Sequence, residues 1–214
     1  MSSTVFTQAL DLACGAFLLT AVATLWRHNL VAIVQLAATQ AVVLAAVTAF
    51  IGLQTGDFGM YATAAGVLLL NGALIPAALG RVLRGQPSQS TPPLVNVAAS
   101  MVAAVLLTLL AYAVSRPVIG LAPPETASAI PLGLAVVFLG FFTLVTRRPA
   151  IAQTVGFVLL VNGVTATALL TTGSAVIVAM TVSLNVLLFV WTLTIDERAK
   201  FDGADPDDLR QLRH

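Results

Sequence analysis

Seven long apolar runs occupy most of this chain and leave few polar residues to cover a water-facing surface. Of its 214 residues, 58% are hydrophobic and only 9% are charged, and the mean hydropathy is +0.98. Soluble domains carry roughly 25% charged residues, so a chain of this composition must be solvated by lipid. The runs are Thr7–Leu25, Leu30–Leu53, Phe58–Gly80, Leu94–Val114, Ala129–Val145, Ala150–Thr171 and Ala175–Ile195.

The length of these runs indicates helices that cross a membrane. An α-helix needs roughly 20 residues to span a hydrocarbon core of about 30 Å. Backbone groups in lipid must be paired within the segment, and the short alternating strands of a β-barrel are missing. The sequence therefore predicts an all-α, polytopic membrane protein with about seven transmembrane helices. Buried helices of a soluble bundle, the alternative, would need polar stripes that these runs lack.

The basic residues fall on alternate connections between the runs. Lys and Arg concentrate in cytoplasmic connections, so the pattern predicts an outside N-terminus and a cytoplasmic C-terminus in a bacterial cell membrane. The first residues lack the basic region of a cleaved signal peptide. One set of connections contains only Arg116, and the other contains Arg27, Arg81, Arg84, Arg147, Arg148, Arg198, Lys200, Arg210 and Arg213.

An internal repeat gives the predicted domain organisation. Placing Arg27 over Arg147 superposes the second and sixth spans, and a small shift then places Asn71 over Asn185. Two three-helix units that enter from the same side would form a parallel repeat about an axis along the membrane normal. Few residues are identical across it. The predicted divisions are a first unit at 1–80, a linker with the fourth helix at 81–128, a second unit at 129–195 and a cytoplasmic tail at 196–214.

A few polar residues inside the spans form a candidate intramembrane path. Pro76 has no N–H for the carbonyl of Gly72, so the sequence predicts a bend with a free carbonyl beside Asn71. Such a site could order water, whereas the alternative is simple packing, since Asn and Gly often mediate contacts between membrane helices. The candidate path comprises Gln40, Asn71, Gly72, Pro76, Asn162 and Asn185.

The chain shows no pattern typical of an active site. It has no Ser/His/Asp set, no His cluster for haem or zinc and no glycine loop for phosphate, so we expect no catalytic residue, bound cofactor, metal or nucleic acid. Asp11 is the carboxylate closest to the interior of a span. Either the first helix begins after Asp11, or this carboxylate reaches the headgroups or a partner.

The C-terminal tail offers a candidate docking segment. Asp205 and Pro206 can start a short helix on which Leu209 and Leu212 share one face. A lone short helix is marginal in water, so we expect Leu209 and Leu212 to dock on a cytoplasmic partner or on the membrane. The alternative is a frayed, solvated end.

Three of these segments resemble a known family. RRPAIAQTVGFVLLVNG, LLLNGALIPAAL and DPDDLRQL are similar to segments of the E component of hydrogenase-4. The first also resembles the three-helix subunit K of NADH–quinone oxidoreductase and the related C component of Mrp-type antiporters. The resemblance implies an accessory membrane subunit of a complex-I-like assembly of the hydrogenase-4 or formate hydrogenlyase type. Its partners would be other membrane and cytoplasmic subunits of that redox complex, within the lipid bilayer.

The chain departs from the family at its charged positions. The family's third-span lysine falls on Asn71, and its sixth-span glutamate falls on Val161, or on Val158 if subunit K is the guide. The acidic residue of the last span falls near Val182 or Asn185. Because neither valine nor asparagine titrates, the departures favour a scaffold that packs between the redox arm and antiporter-like subunits, with Asn71 and Asn185 bordering a hydrated ion path.

Two other classes of function compete with this interpretation. A stand-alone small transporter or channel fits a parallel repeat and a proline-broken helix, although the spans lack the acidic residues that coupling ions need. A membrane enzyme acting on lipid would need paired polar groups at the interface, where only Asp11, Asp57 and Glu125 are available.

Overall fold

The structure is a bundle of membrane-length helices, as the sequence predicts. The computed structural model describes residues 3–84, 96–120, 122–148 and 150–172, and near the C-terminus residues 180, 183–187, 190–191 and 194. In the described ranges, six helices are long and apolar enough to cross a membrane. The prediction of an all-α, polytopic membrane protein is confirmed. The helices are α1 (Ser3–Trp26), α2 (Leu30–Thr55), α3 (Phe58–Val67), α4 (Ile75–Arg84), α5 (Val97–Ile119), α6 (Pro124–Ala127), α7 (Ile130–Thr146) and α8 (Ala150–Thr172).

The third membrane helix, Phe58–Arg84, changes its winding in the middle. Between α3 and α4, residues Leu68–Leu74 form a π-helix, in which Ile75 N–H donates to the carbonyl of Leu70. The sequence predicts a simple bend at Pro76. The structure instead widens the turns directly before Pro76, because a π-helical segment can absorb the missing donor without breaking the helix.

Several predicted boundaries are shifted. The third helix continues to Arg84 rather than ending at Gly80, and α5 runs over Val97–Ile119 rather than Leu94–Val114. Pro117 lies inside the last turn of α5, so the proline does not end that helix. The seventh predicted span lies mostly outside the described residues, and those described within it are helical. The tail, with Leu209 and Leu212, also lies outside them.

Short turns and side-chain caps define the hairpins. Asn29 Oδ1 accepts from the N–H of Val31 at 2.9 Å and begins α2. Gly56 ends α2 in the left-handed conformation, with φ of 67°, and Asp57 Oδ1 accepts from Gly59 N–H at 2.8 Å to begin α3. Capping satisfies N–H groups that the first turn of a helix leaves unpaired.

Two helical hairpins, α1–α2 and α7–α8, pack side by side and form the centre of the bundle. Helix α1 contacts α7, and α2 contacts α8. The third membrane helix lies against α2, while α5 lies against α7 and α1. Helix α8 is the most enclosed and α5 the least, with 67% and 17% of their most apolar stretches buried. Much of α5 is therefore left to face lipid or another protein.

The hairpin α7–α8 is closed by glycines. A methyl group built on Gly140 would lie 2.8 Å from Leu160 Cα, and one on Gly156 would lie 2.7 Å from Leu144 N. One on Gly163 would lie 2.6 Å from Val137 N. No real Cβ atom tolerates such distances, so the two backbones touch directly, as small residues allow in membrane helices.

Pairs of residues that the predicted repeat superposes lie in contact. Arg147 donates to the backbone carbonyl of Arg27, and Asn71 donates to Asn185. These two contacts do not define the direction of an axis. The division into two three-helix units stays a prediction.

Candidate functional site

Four amide side chains meet inside the membrane region of the bundle. Gln40, Asn71, Asn162 and Asn185 are each no more than 1% exposed. Asn71 lies in the π-helical segment, Asn162 lies near the middle of α8, and Gln40 lies on α2. We call these four residues the amide cluster. The sequence indicates all four as members of a polar path, and the structure brings them together.

The amide cluster is a continuous chain of hydrogen bonds. Gln40 Nε2 donates to the carbonyl oxygen of Phe17 in α1 at 3.4 Å. Gln40 Oε1 accepts from Asn162 Nδ2 at 3.3 Å. Asn71 Nδ2 donates to Asn162 Oδ1 and to Asn185 Oδ1, both at 2.6 Å. The chain thus joins α1, α2, the third membrane helix, α8 and the described part of the last predicted span.

Asn71 lies within the π-helical segment of the third membrane helix. Short π-helical segments occur frequently at functional sites. A methyl group on Gly72 would lie in ordinary van der Waals contact with Ala41 Cβ of α2, at 3.9 Å, and 3.3 Å from Leu68 Cδ1 of its own helix, so the glycine is not required for the approach to α2. Pro76 lies in α4, directly after the segment and its C-cap residue Ile75. Gly72 and Pro76 therefore flank the site, while the four amides form it.

The site is neutral. No Asp, Glu, Lys, Arg or His lies within one helical turn of the four amides in the sequence. Amide groups donate and accept hydrogen bonds but do not titrate, so the cluster can bind and orient a polar group but cannot itself carry a proton. Asn71 Oδ1 is buried and has no hydrogen-bond partner among the described residues. A buried acceptor without a partner is rare in folded proteins.

A second buried polar centre lies at the end of the bundle where the two hairpins turn. Arg147, directly after α7, is 4% exposed. Its Nη2 donates to the carbonyls of Thr24, Leu25 and Arg27 at 3.2, 2.9 and 3.1 Å. Burial lowers the pKa of the Arg147 guanidinium from its ordinary value.

These contacts give Arg147 a structural role that sequence reasoning missed. The last carbonyls of a helix have no partner in the helix and carry partial negative charge, so a cation there is favourable. The sequence indicates Arg147 as a marker of the cytoplasmic side and as the counterpart of Arg27 in the predicted repeat, but not as a residue that binds α1. No local signal could have shown that its partners lie about 120 residues earlier, on another helix.

Two of the three carboxylates considered for a lipid enzyme, Asp11 and Asp57, have structural partners, while Glu125 is exposed. Helix α1 begins at Ser3, so the alternative in which the helix starts after Asp11 is wrong, and Asp11 Oδ1 accepts from Ser128 Oγ at 2.9 Å. Asp57 caps α3. In the described part of the chain, no group of three His, Cys, Asp or Glu side chains is placed to hold a metal ion. The contacts of Asp11 and Asp57 are therefore those of residues that hold helices in place.

The fold and the amide cluster define a polytopic α-helical membrane protein with a neutral polar centre. The chain is 38% identical over 219 residues to the uncharacterised protein Rv0085 of Mycobacterium tuberculosis, and the match covers 100% of both chains. The chain belongs to the family of that protein. No family model matches the chain. No solved structure matches it either.

Proposed function

We propose that this chain is an accessory membrane subunit of a complex-I-like redox assembly of the hydrogenase-4 or formate hydrogenlyase type. It packs between the redox arm and antiporter-like subunits of a bacterial cell membrane. The proposal rests on the resemblance of three segments to the E component of hydrogenase-4, and the neutral amide cluster is the structural observation that supports it best. An electrically neutral, hydrogen-bonded centre holds helices together and offers no group that could shuttle protons.

The surface of the bundle supports a role as a packing subunit. Helix α5 presents Val102, Leu106 and Leu109 on its outside, and Leu69 is exposed on the third membrane helix. Lipid tails or the helices of neighbouring subunits can both cover such faces. In this proposal the C-terminus is cytoplasmic, because basic residues concentrate at the α1–α2 and α7–α8 turns. A reporter fused after His214 should be active only in the cytoplasm.

Co-purification tests the proposed assembly. An affinity-tagged chain extracted from its native membranes in mild detergent should bring down antiporter-like and redox subunits in comparable amounts. Leu209→Ser with Leu212→Ser should release cytoplasmic subunits and keep the membrane subunits. Recovery of the chain alone would contradict the proposal.

A stand-alone transporter or channel is the second candidate. The observation that favours it is the π-helical segment beside a buried amide cluster, since irregular membrane helices often line substrate sites. The purified chain in liposomes separates the two candidates. Ion or solute flux across liposomes that contain only this chain would support the transporter, whereas the accessory subunit should produce none.

A further inference from the structure

The orientation of every amide in the cluster is set by one backbone carbonyl. The oxygen of Phe17 can only accept, so Gln40 must turn its NH₂ group toward it. Gln40 Oε1 then faces Asn162 and requires the NH₂ group of that residue. Asn162 Oδ1 is consequently left to face Asn71. Reversing any one amide in this chain would place two acceptors or two donors against each other.

With the amides oriented in this way, Asn71 Oδ1 is an acceptor that has no donor among the described residues. An amide NH₂ group has two hydrogens, and Asn71 Nδ2 uses both, one toward Asn162 and one toward Asn185. The opposite orientation of Asn71 would put its oxygen 2.6 Å from two other oxygens. The buried atom that lacks a described partner is therefore an oxygen, and whatever binds it must donate a hydrogen bond or be a cation.

The charges around the cluster indicate whether the ligand is a neutral hydrogen-bond donor or a cation. An ion taken from water into an apolar interior loses many kcal/mol of solvation unless an opposite charge or several oxygens replace the water. Only one oxygen of the cluster is known to be unused, and no ionisable residue lies within a helical turn of the amides. A neutral donor therefore fits the site better than a cation.

We propose that Asn71 Oδ1 binds one internal water molecule. Water supplies two hydrogens, and buried waters typically contact about three polar groups. Pro76 has no N–H, and it occupies the donor position for the carbonyl of Asn71 in the π-helical register and for that of Gly72 in the α-helical register. One of these two carbonyls is the candidate acceptor for the second hydrogen. This site stands on the geometry of the cluster and does not depend on membership of a redox complex.

Solid-state NMR of the full chain in lipid bilayers tests the site directly. The protein contains five asparagines, so selective isotope labelling gives five side-chain amide signals. Asn29 and Asn96 are exposed and serve as positive controls for magnetisation transfer from water protons. In a second, valine-labelled sample, the backbone amides of the fully buried Val136 and Val155 serve as negative controls. The proposal expects transfer to the Asn71 amide and none to the negative controls. Absence of transfer to Asn71 would overturn it.

Two variants test whether the second hydrogen of the water binds a backbone carbonyl that lacks its donor because of Pro76. Pro76→Ala supplies the missing N–H to one of these two carbonyls and should weaken the water signal at Asn71. Pro117→Ala, in the last turn of α5, is the matched control and should leave that signal unchanged. Exchange of sodium for potassium, and then for a large organic cation, should not shift the Asn71 resonance. A shift that depends on the cation would show an ion site and overturn the proposal.

Discussion

The hairpins α1–α2 and α7–α8 occupy corresponding places in the predicted repeat but are held together by different contacts. In α7–α8 the backbones touch at Gly140, Gly156 and Gly163. The first hairpin instead packs bulky side chains, and it stacks Phe6 on Phe50 at a centroid distance of 4.9 Å. The comparison shows that one arrangement of helices can be built with either backbone or side-chain contacts.

The consequence is a difference in tolerance to substitution. Side chains can move to new rotamers when a neighbour changes, whereas a backbone contact yields only if a whole helix shifts. A methyl group on Gly15 of α1 would meet nothing within 4 Å, unlike one on any of the four glycines of the second hairpin, Gly133, Gly140, Gly156 and Gly163. The α7–α8 hairpin should therefore be the less tolerant of the two.

The largest expected effect comes from the glycine contact itself. Gly140→Val places a branched side chain against the backbone of Leu160 and should lower the free energy of unfolding by about 3 kcal/mol. Gly15→Val, the same change in the first hairpin, should alter it by less than about 0.5 kcal/mol. Unfolding in detergent, followed by circular dichroism, measures both. Equal losses would show that the two hairpins do not differ as described.

The second-largest loss of stability is expected at Arg147, which links the two hairpins. Arg147→Met keeps an unbranched, flexible side chain but removes the guanidinium and its hydrogen bonds to three carbonyls at the end of α1, and it should cost about 2 kcal/mol. Arg148→Met removes the same charge from an exposed neighbour and should cost less than about 0.5 kcal/mol. Thermal unfolding in detergent compares them. Similar unfolding temperatures for the two variants would mean that the hydrogen bonds of the buried Arg147 guanidinium add no stability beyond the effect of its charge.

The smallest effect is expected at the amide cluster, which joins Gln40 of the first hairpin to Asn162 of the second. Asn71→Leu keeps similar bulk and should lower stability by about 0.6 to 2 kcal/mol, with turnover of a fully assembled parent complex unchanged. Thr63→Val is the control, since the hydrogen bond of the Thr63 hydroxyl in the described part of the chain lies within its own helix, to Gly59. Loss of proton-coupled activity in an assembled Asn71→Leu complex would assign the cluster a direct part in transport.

The sequence predicts the elements of this fold well because each depends on a local property. Apolar length locates α1, α2, α7 and α8 to within a few residues. Pro76 signals a disturbance in the third membrane helix, but a proline alone does not choose between a bend and a π-helical segment. The predicted end of α5 at Val114 is too early because the helix continues through polar and proline positions to Ile119.

The candidate site is predictable as a set of residues but not as a geometry. Gln40, Asn71, Asn162 and Asn185 are conspicuous because amides are rare inside long apolar runs. Their pairing depends on how each helix is rotated about its axis, which is set by distant contacts such as those that Gly163 makes across the second hairpin. The contacts that close the end of α1 are unpredictable for the same reason.

Because Arg147 binds carbonyls at the end of α1, the order of synthesis determines when these hydrogen bonds can form. Its partner carbonyl on Arg27 is made 120 residues earlier, a delay of about 6 to 24 s at a synthesis rate of roughly 5 to 20 residues per second. Helix α2 is made within that interval, and throughout it the last carbonyls of α1 lack their guanidinium partner. The hydrogen bonds that join the two hairpins at this end can therefore form only after the turn that follows α7 has been synthesised.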